Sequence, residues 1–130
     1  MQLEKENLKI MIVDDDEINL YLTSALLNQI ISGAKIIQCK NGMEAIEKVE
    51  IEKPNIIFLD IQMPELDGKD TTIEIRKKES GKQIPIIALT AEINNDAVSS
   101  YKDAGMNDIL LKPAKKELFE EILKKYFFKS

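Results

Sequence analysis

Apolar positions along the chain alternate between two periods. Leu8-Lys9-Ile10-Met11-Ile12-Val13 is a short apolar run ending in acids, the pattern of a buried strand. From Glu17 to Gln29 the spacing turns helical and predicts Ile18, Tyr21, Leu22, Ala25, Leu26 and Ile30 on one inner face, with Ser32-Gly33 as the stop. Lys35 to Cys39 is a second strand. Asn41-Gly42 is a turn before a short helix on Ala45, Ile46 and Val49, which Lys53-Pro54-Asn55 breaks. Ile56-Ile57-Phe58-Leu59-Asp60 is a third strand, and Met63-Pro64 through Asp67-Gly68 is loop chemistry. A helix over Thr71 to Glu79 ends at Gly81. Pro85 to Leu89 is a fourth strand, and Asn94 to Asp103 is a weak helix with Ala97, Val98 and Tyr101 inward, closed by Gly105. Asp108 to Leu111 is a fifth strand. Lys115 to Tyr126 is a last helix burying Leu118, Phe119, Ile122, Leu123 and Tyr126.

Five strands thus alternate with five helices. Strands that are apolar throughout need both faces covered, which requires a parallel sheet between two helix layers. No internal repeat, linker or low-complexity segment interrupts the pattern, so residues 8–128 form one domain and residues 1–7 are expected to be a loose leader. An apolar fraction of 44% suffices for a core, and 32% charged residues suit a soluble, cytoplasmic domain. No apolar run approaches the roughly 20 residues of a membrane span. A net charge of −5 argues against nucleic-acid binding. Residues 1–101 carry 11 basic and 18 acidic side chains and residues 102–130 carry 7 and 5, so the C-terminal part is the more basic. Cys39, the single cysteine, excludes an internal disulfide and reads as a small core residue. The absence of histidine removes histidine triads, histidine-rich zinc sites and phosphohistidine chemistry from this chain.

In an open parallel sheet, sites form at the carboxyl ends of the strands. Asp14-Asp15-Asp16-Glu17 follow the first strand. One or two acids satisfy a helix N-terminus, but four repel one another and call for a cation. Asp60 ends the third strand, where it either opens a turn or joins the acids. Oxygen ligands of this kind suit Mg²⁺ or Mn²⁺, and a carboxylate beside such an ion is a plausible nucleophile for phosphoryl transfer. Thr90 follows the fourth strand and Lys112 the fifth. Each alone is an ordinary cap or surface residue; together on one edge they supply a hydroxyl and an ammonium for phosphoryl oxygens.

The stretches Ile12-Val13-Asp14-Asp15-Asp16, Leu59-Asp60-Ile61-Gln62-Met63-Pro64 with Asp67-Gly68, Ala88-Leu89-Thr90-Ala91, Ala104-Gly105-Met106 and Lys112-Pro113 resemble the receiver domain of two-component response regulators, over about residues 8–127. Asp15-Asp16-Glu17-Ile18-Asn19-Leu20 and the run from Ile84 to Ala91 are most like receivers of hybrid sensor histidine kinases. The resemblance implies a flavodoxin-like α/β fold with strand order 2-1-3-4-5 and helices on both faces. It implies that Asp60 is the phosphoacceptor and that Asp15 binds Mg²⁺ directly, with Asp14 acting through water and the Gln62 carbonyl as third protein ligand. Thr90 and Lys112 would hold phosphoryl oxygens, and Lys112-Pro113 would be cis. Asp16 lies one position beyond the pair the family uses, and the residues alone do not choose among the three.

The same resemblance implies a phosphohistidine donor on a histidine kinase or histidine phosphotransfer domain, Mg²⁺-dependent self-phosphorylation with slow self-dephosphorylation, and a population shift read out on the fourth helix, fifth strand and fifth helix. The expected state is a monomer or weak dimer, within a hybrid kinase or as a stand-alone regulator. One position departs from the pattern. Where the family often has an aromatic, three residues before the lysine, this chain has Ile109, so switching is expected to be muted or to run through the fourth helix. Two rival chemistries fit less well. An aspartyl phosphohydrolase wants a second Asp where Gln62 stands, and a flavin site wants a Ser/Thr/Gly-rich loop where Asp14–Asp16 stand. A degenerate receiver would lack site residues that are present here.

Overall fold

The computed structural model describes the backbone of residues 3–4 and all of residues 7–128. Five strands, β1 (Lys9–Val13), β2 (Lys35–Cys39), β3 (Ile56–Asp60), β4 (Ile86–Thr90) and β5 (Asp108–Leu111), form one parallel sheet in the order β2-β1-β3-β4-β5. Helices α1 (Glu17–Ile30), α2 (Gly42–Glu52), α3 (Gly68–Lys77), α4 (Asn95–Ala104) and α5 (Lys116–Phe127) make the crossovers. This is the expected flavodoxin-like arrangement. The β2 and β3 limits coincide with the sequence expectation, while β4 starts one residue late. Pro85 has no N–H for the ladder, but its carbonyl still accepts from Ile57 N at 2.9 Å.

The alternation of side chains along the strands divides the core in two. Met11, Val13, Ile37, Cys39, Ile57, Leu59, Ile86 and Ala88 face Ala45 and Val49 of α2, Ile75 of α3 and Tyr101 of α4. Ile10, Ile12, Ile56, Phe58, Ile87, Leu89 and Leu110 face Leu20, Leu27 and Ile30 of α1 and Phe119, Ile122 and Leu123 of α5. Phe58 and Phe119 meet edge to face across that layer, with centroids 5.1 Å apart. Phe127 and Phe128 also pack there. Cys39 is fully buried, and burial, aided by Glu44 and opposed by Lys48, pushes its thiol up to about 12, which leaves it inert.

Four helices start on side-chain caps: Asp16 to Ile18 N, Asn41 to Glu44 N, Asp67 to Asp70 N and Asn94 to Ala97 N, each at 2.8–2.9 Å. The Asp67 cap starts α3 at Gly68, three residues before the expected Thr71. Gly105, at φ +113°, closes α4 in the left-handed conformation glycine favours.

The predicted inner face of α1 is corrected. Leu20, Ser24, Leu27 and Ile30 are buried, whereas Ile18, Tyr21 and Leu22 are 68%, 70% and 56% exposed. The helix is apolar nearly all round, so periodicity offers two stripes. The buried Ser24 hydroxyl sits on the sheet side because Gln38 Nε2 on β2 donates to it at 2.7 Å. Within the expected leader, Leu3–Glu4 pairs in parallel with Ile31–Ser32, apart from the main sheet; residues 1, 2, 5 and 6 lie outside the described residues.

Candidate functional site

The strand ends stay paired one residue beyond the sheet, and this aims the site. Asp14 N donates to Cys39 O (3.1 Å), Ile61 N to Leu89 O (3.0 Å) and Lys112 N to Thr90 O (2.7 Å). β1 and β3 are neighbours, so Asp14, Asp15 and Asp60 converge: each offers a carboxylate oxygen, and these oxygens lie within 4.8 Å of one another. Asp14 and Asp60 are only 6% and 3% exposed; Asp15 is open to solvent.

Lys112 answers part of this charge, its Nζ standing 3.2 Å from Asp60 Oδ1 and 3.8 Å from Asp14 Oδ2. Gln62 N also donates to Asp60 Oδ1, at 3.2 Å. Among the described residues Asp60 Oδ2 takes no hydrogen bond. Burial pushes the Asp60 carboxyl above its ordinary value; Lys112 opposes this, Asp14 adds to it, and the bonds from Lys112 and Gln62 N oppose it. A carboxylate whose ionised form is disfavoured beside two others is a site waiting for positive charge. Three oxygen donors, partly open to water, suit a hard divalent cation that keeps some of its waters.

The structure separates four acids that the sequence could not. Asp16 is spent on the α1 cap. Glu17 pairs at the surface with Lys40, 3.0 Å away. Asp14 and Asp15 are left to face Asp60, with Asp14 Oδ1 fixed by Asp16 N at 2.9 Å. Thr90 is buried at the end of β4, but its hydroxyl is engaged elsewhere: Oγ1 donates to Glu92 O and accepts from Glu92 N, both at 3.2 Å, and lies 3.3 Å from the Tyr101 hydroxyl. The Lys112-Pro113 peptide is cis.

Two contributors had no site role assigned from the sequence, where Gly68 was named only as part of a loop motif. Gly68 closes the loop under Asp60. Its N–H donates to Ile61 O at 2.9 Å, and a Cβ there would stand 2.6 Å from Asp60 O and 2.8 Å from Ile61 Cα. The second is a cavity of about 400 Å³ beside the carboxylates, between α1 and α5, lined by Asn19, Leu22, Thr23, Leu26, Pro113, Ala114 and Phe119, with Asp14 and Lys112 at its margin. The exposed Ile18, Tyr21 and Leu22 of α1 extend an apolar surface from it.

Residues 10–124 match the family model of the response regulator receiver domain, and the chain belongs to that family. It is 35% identical over 120 residues to sensor histidine kinase GacS of Pseudomonas protegens, covering 89% of this chain and 13% of that protein. It is 32% identical over 117 residues to the polar-differentiation response regulator DivK of Brucella anthropi, covering 90% of this chain and 94% of that one. Its fold superposes on the receiver domain of sensor histidine kinase PA1611 from Pseudomonas aeruginosa, crystallised with a magnesium ion in its active-site cleft, with TM-score 0.84, 33% identity, and 94% and 98% of the two chains covered. The chain spans only 7–13% of the length of such kinases as Dictyostelium discoideum hybrid signal transduction histidine kinase L and GacS. It is thus a phosphoacceptor signalling domain of the two-component type. Among the described residues no helix is long and apolar enough to cross a membrane.

Proposed function

We propose that Asp60 takes a phosphoryl group from a phosphohistidine on a histidine kinase or histidine phosphotransfer partner. The observation that carries this is the buried Asp60 carboxylate, held by Lys112 at 3.2 Å inside a cluster with Asp14 and Asp15. An Asp60 oxygen forms the new bond to phosphorus as the phosphorus–nitrogen bond of the partner's histidine breaks. The histidine nitrogen keeps that electron pair and takes a proton from water. Lys112 balances charge on the phosphoryl oxygens, and Thr90 donates its hydroxyl hydrogen to one of them. Asp15 would hold Mg²⁺ directly, together with Asp60, with Asp14 acting through water and Gln62 through its backbone carbonyl; Mn²⁺ is a serviceable substitute. The ion, when bound, neutralises developing charge on the transferred group. Self-phosphorylation and slow self-dephosphorylation belong to the same pocket.

The donor's docking place is the cavity between α1 and α5, which Asp14 and Lys112 line together with the exposed Leu22 of α1. The readout face is α4, β5 and α5, with Leu111 of β5 and Ile93 of the loop leading into α4 exposed. We assign residues 8–128 to a cytoplasmic receiver, monomeric or weakly dimeric, within a hybrid histidine kinase. The likeness to DivK along nearly its whole length supports the alternative, a stand-alone regulator.

The test is amide NMR with Mg²⁺ and beryllofluoride, a stand-in for the aspartyl phosphoryl group, with Asp60→Asn as control. Shifts at Asp15, Asp60, Thr90 and Lys112 that vanish in the variant are expected. A folded protein that does not respond would instead be a degenerate receiver.

A further inference from the structure

The Thr90 hydroxyl has one hydrogen and three neighbours. Its geometry gives that hydrogen to Glu92 O, while Glu92 N donates back to Oγ1. The Tyr101 hydroxyl lies 3.3 Å away in a contact where either oxygen can donate; while Thr90 gives its hydrogen to Glu92 O, the donor is Tyr101. Tyr101 belongs to α4 and is 7% exposed, so its O–H lies in the core and depends on Thr90. Among the described residues no polar contact reaches the Thr90 hydroxyl from β5. Ile109 stands opposite Ala88 in the sheet and packs, without a polar atom, on the same cluster as Tyr101.

We propose that Tyr101 couples Thr90 to α4, so that the state of the phosphoacceptor pocket reaches the readout face through a tyrosine on the helix rather than through a residue of β5. The inference rests on the reading of Asp60 as phosphoacceptor with Thr90 as its hydroxyl donor. To donate to a phosphoryl oxygen, Thr90 must withdraw its hydrogen from Glu92 O and reorient. Two partners are then disturbed together. Glu92 loses its hold on the loop that leads into α4, and the buried Tyr101 hydroxyl must follow Thr90 or find a new acceptor. Either response moves α4, because Tyr101 is its one buried residue. Tyr101 is a positioning residue here: it touches the hydroxyl that touches the phosphoryl group, and not the group itself.

The experiment is NMR on the full chain with ¹³C-labelled tyrosine rings and ¹⁵N-labelled backbone, before and after Mg²⁺ plus beryllofluoride, in wild type and in Tyr101→Phe. The variant keeps the ring in the core and removes only the hydroxyl. Tyr21 is an exposed control, and Tyr126, whose hydroxyl is tied to Asp108, is a hydrogen-bonded one. The expected wild-type result is a shift of the Tyr101 ring carbon bearing the hydroxyl, with Tyr21 and Tyr126 stationary, and shifts in the amides of Asn95–Ala104. In Tyr101→Phe the amides around Asp60 and Lys112 still shift, while the α4 response is lost. A full α4 response in the variant, or a stationary Tyr101 carbon in wild type, overturns the coupling and leaves the receiver reading intact. A silent pocket in wild type overturns both.

Discussion

The two ends of the sheet treat charge in opposite ways. At the carboxyl end three carboxylates face one lysine, and Asp60 is held with its ionised form disfavoured. At the amino end a single guanidinium, Arg76 at the end of α3, is surrounded by acceptors. It donates to Gly81 O (2.8 Å), Ile84 O (2.7 Å), Gly105 O (3.0 and 2.7 Å) and Asn107 Oδ1 (2.8 Å). Asn107 Oδ1 in turn accepts from Ile86 N at the start of β4. Burial lowers the Arg76 pKa from its ordinary value, yet no carboxylate is needed, because a planar fork can share its charge among carbonyls. One end is satisfied and structural. The other is left short of positive charge, which favours an arriving cation.

The largest test of this contrast is Arg76→Met. It strands the Gly81, Ile84 and Gly105 carbonyls and loosens the entries to β4 and β5 together. Urea unfolding should show a loss of about 3–5 kcal/mol, as for other broken buried charge networks. Arg76→Lys should recover little, since one ammonium cannot reach acceptors spread around a fork. A loss under ~1 kcal/mol would sink the idea that this end is the structural one.

Next in size is the response of the carboxyl end to metal. Mg²⁺ at 100 times its dissociation constant should stabilise the protein by about 2.7 kcal/mol, read as a rise in thermal midpoint. The same addition should do nothing for the contribution of Arg76. If calorimetry shows no Mg²⁺-dependent rise, the three carboxylates do not form a cation site.

Asp60→Asn is the third test, with the sign fixed by linkage. The folded pKa of Asp60 lies above the unfolded 3.8, so the folded state holds the extra proton between those two values. Stability therefore falls as pH rises through that window, as Asp60 ionises in the folded state. Without metal, Asp60→Asn should then be more stable than wild type at pH 7, by about 0.5–2 kcal/mol, while losing all phosphoryl acceptance. The gain should vanish near pH 3, where wild type is protonated too. A variant less stable than wild type at pH 7 would falsify the assignment of strain to this carboxylate.

The same contrast explains what could be read from the sequence. The sheet was legible because five apolar runs are bounded by acids, Pro, Asn and Gly, and β2 and β3 came out with the expected limits. The meeting of Asp14, Asp15, Asp60 and Lys112 was legible because each stands at or just beyond the carboxyl end of a strand. The buried face of α1 was not, since that helix is apolar on two stripes and Ser24, a polar residue, lies on the inner one. Arg76 left a signal that was available: it is the one arginine beside 17 lysines, at a place where a lysine could not serve. Gly68 and Tyr101 act through contacts between distant segments, with the Asp60 backbone and the Thr90 hydroxyl, which spacing along the chain does not encode.

The smallest effects divide the acidic run itself. Asp16→Ala should lose about 1 kcal/mol of stability, the usual worth of an N-cap, and leave Mg²⁺ affinity nearly unchanged. Glu17→Gln should move stability by under ~0.5 kcal/mol, because its pair with Lys40 is solvent-exposed on both sides. Asp15→Asn should do the reverse of Asp16→Ala: nearly neutral for the metal-free protein, since its carboxylate is exposed and repelled by its neighbours, but weakening Mg²⁺ binding at least tenfold in a calorimetric titration. Four adjacent acids in three roles are what a strand end running into a capped helix produces: the first two face Asp60, the third turns back to the helix, and the fourth faces water. If Asp16→Ala also weakened Mg²⁺ binding tenfold, the cap and the metal site would be one structure, and the separation between the stabilising and the functional charges would fail at the point where they stand closest.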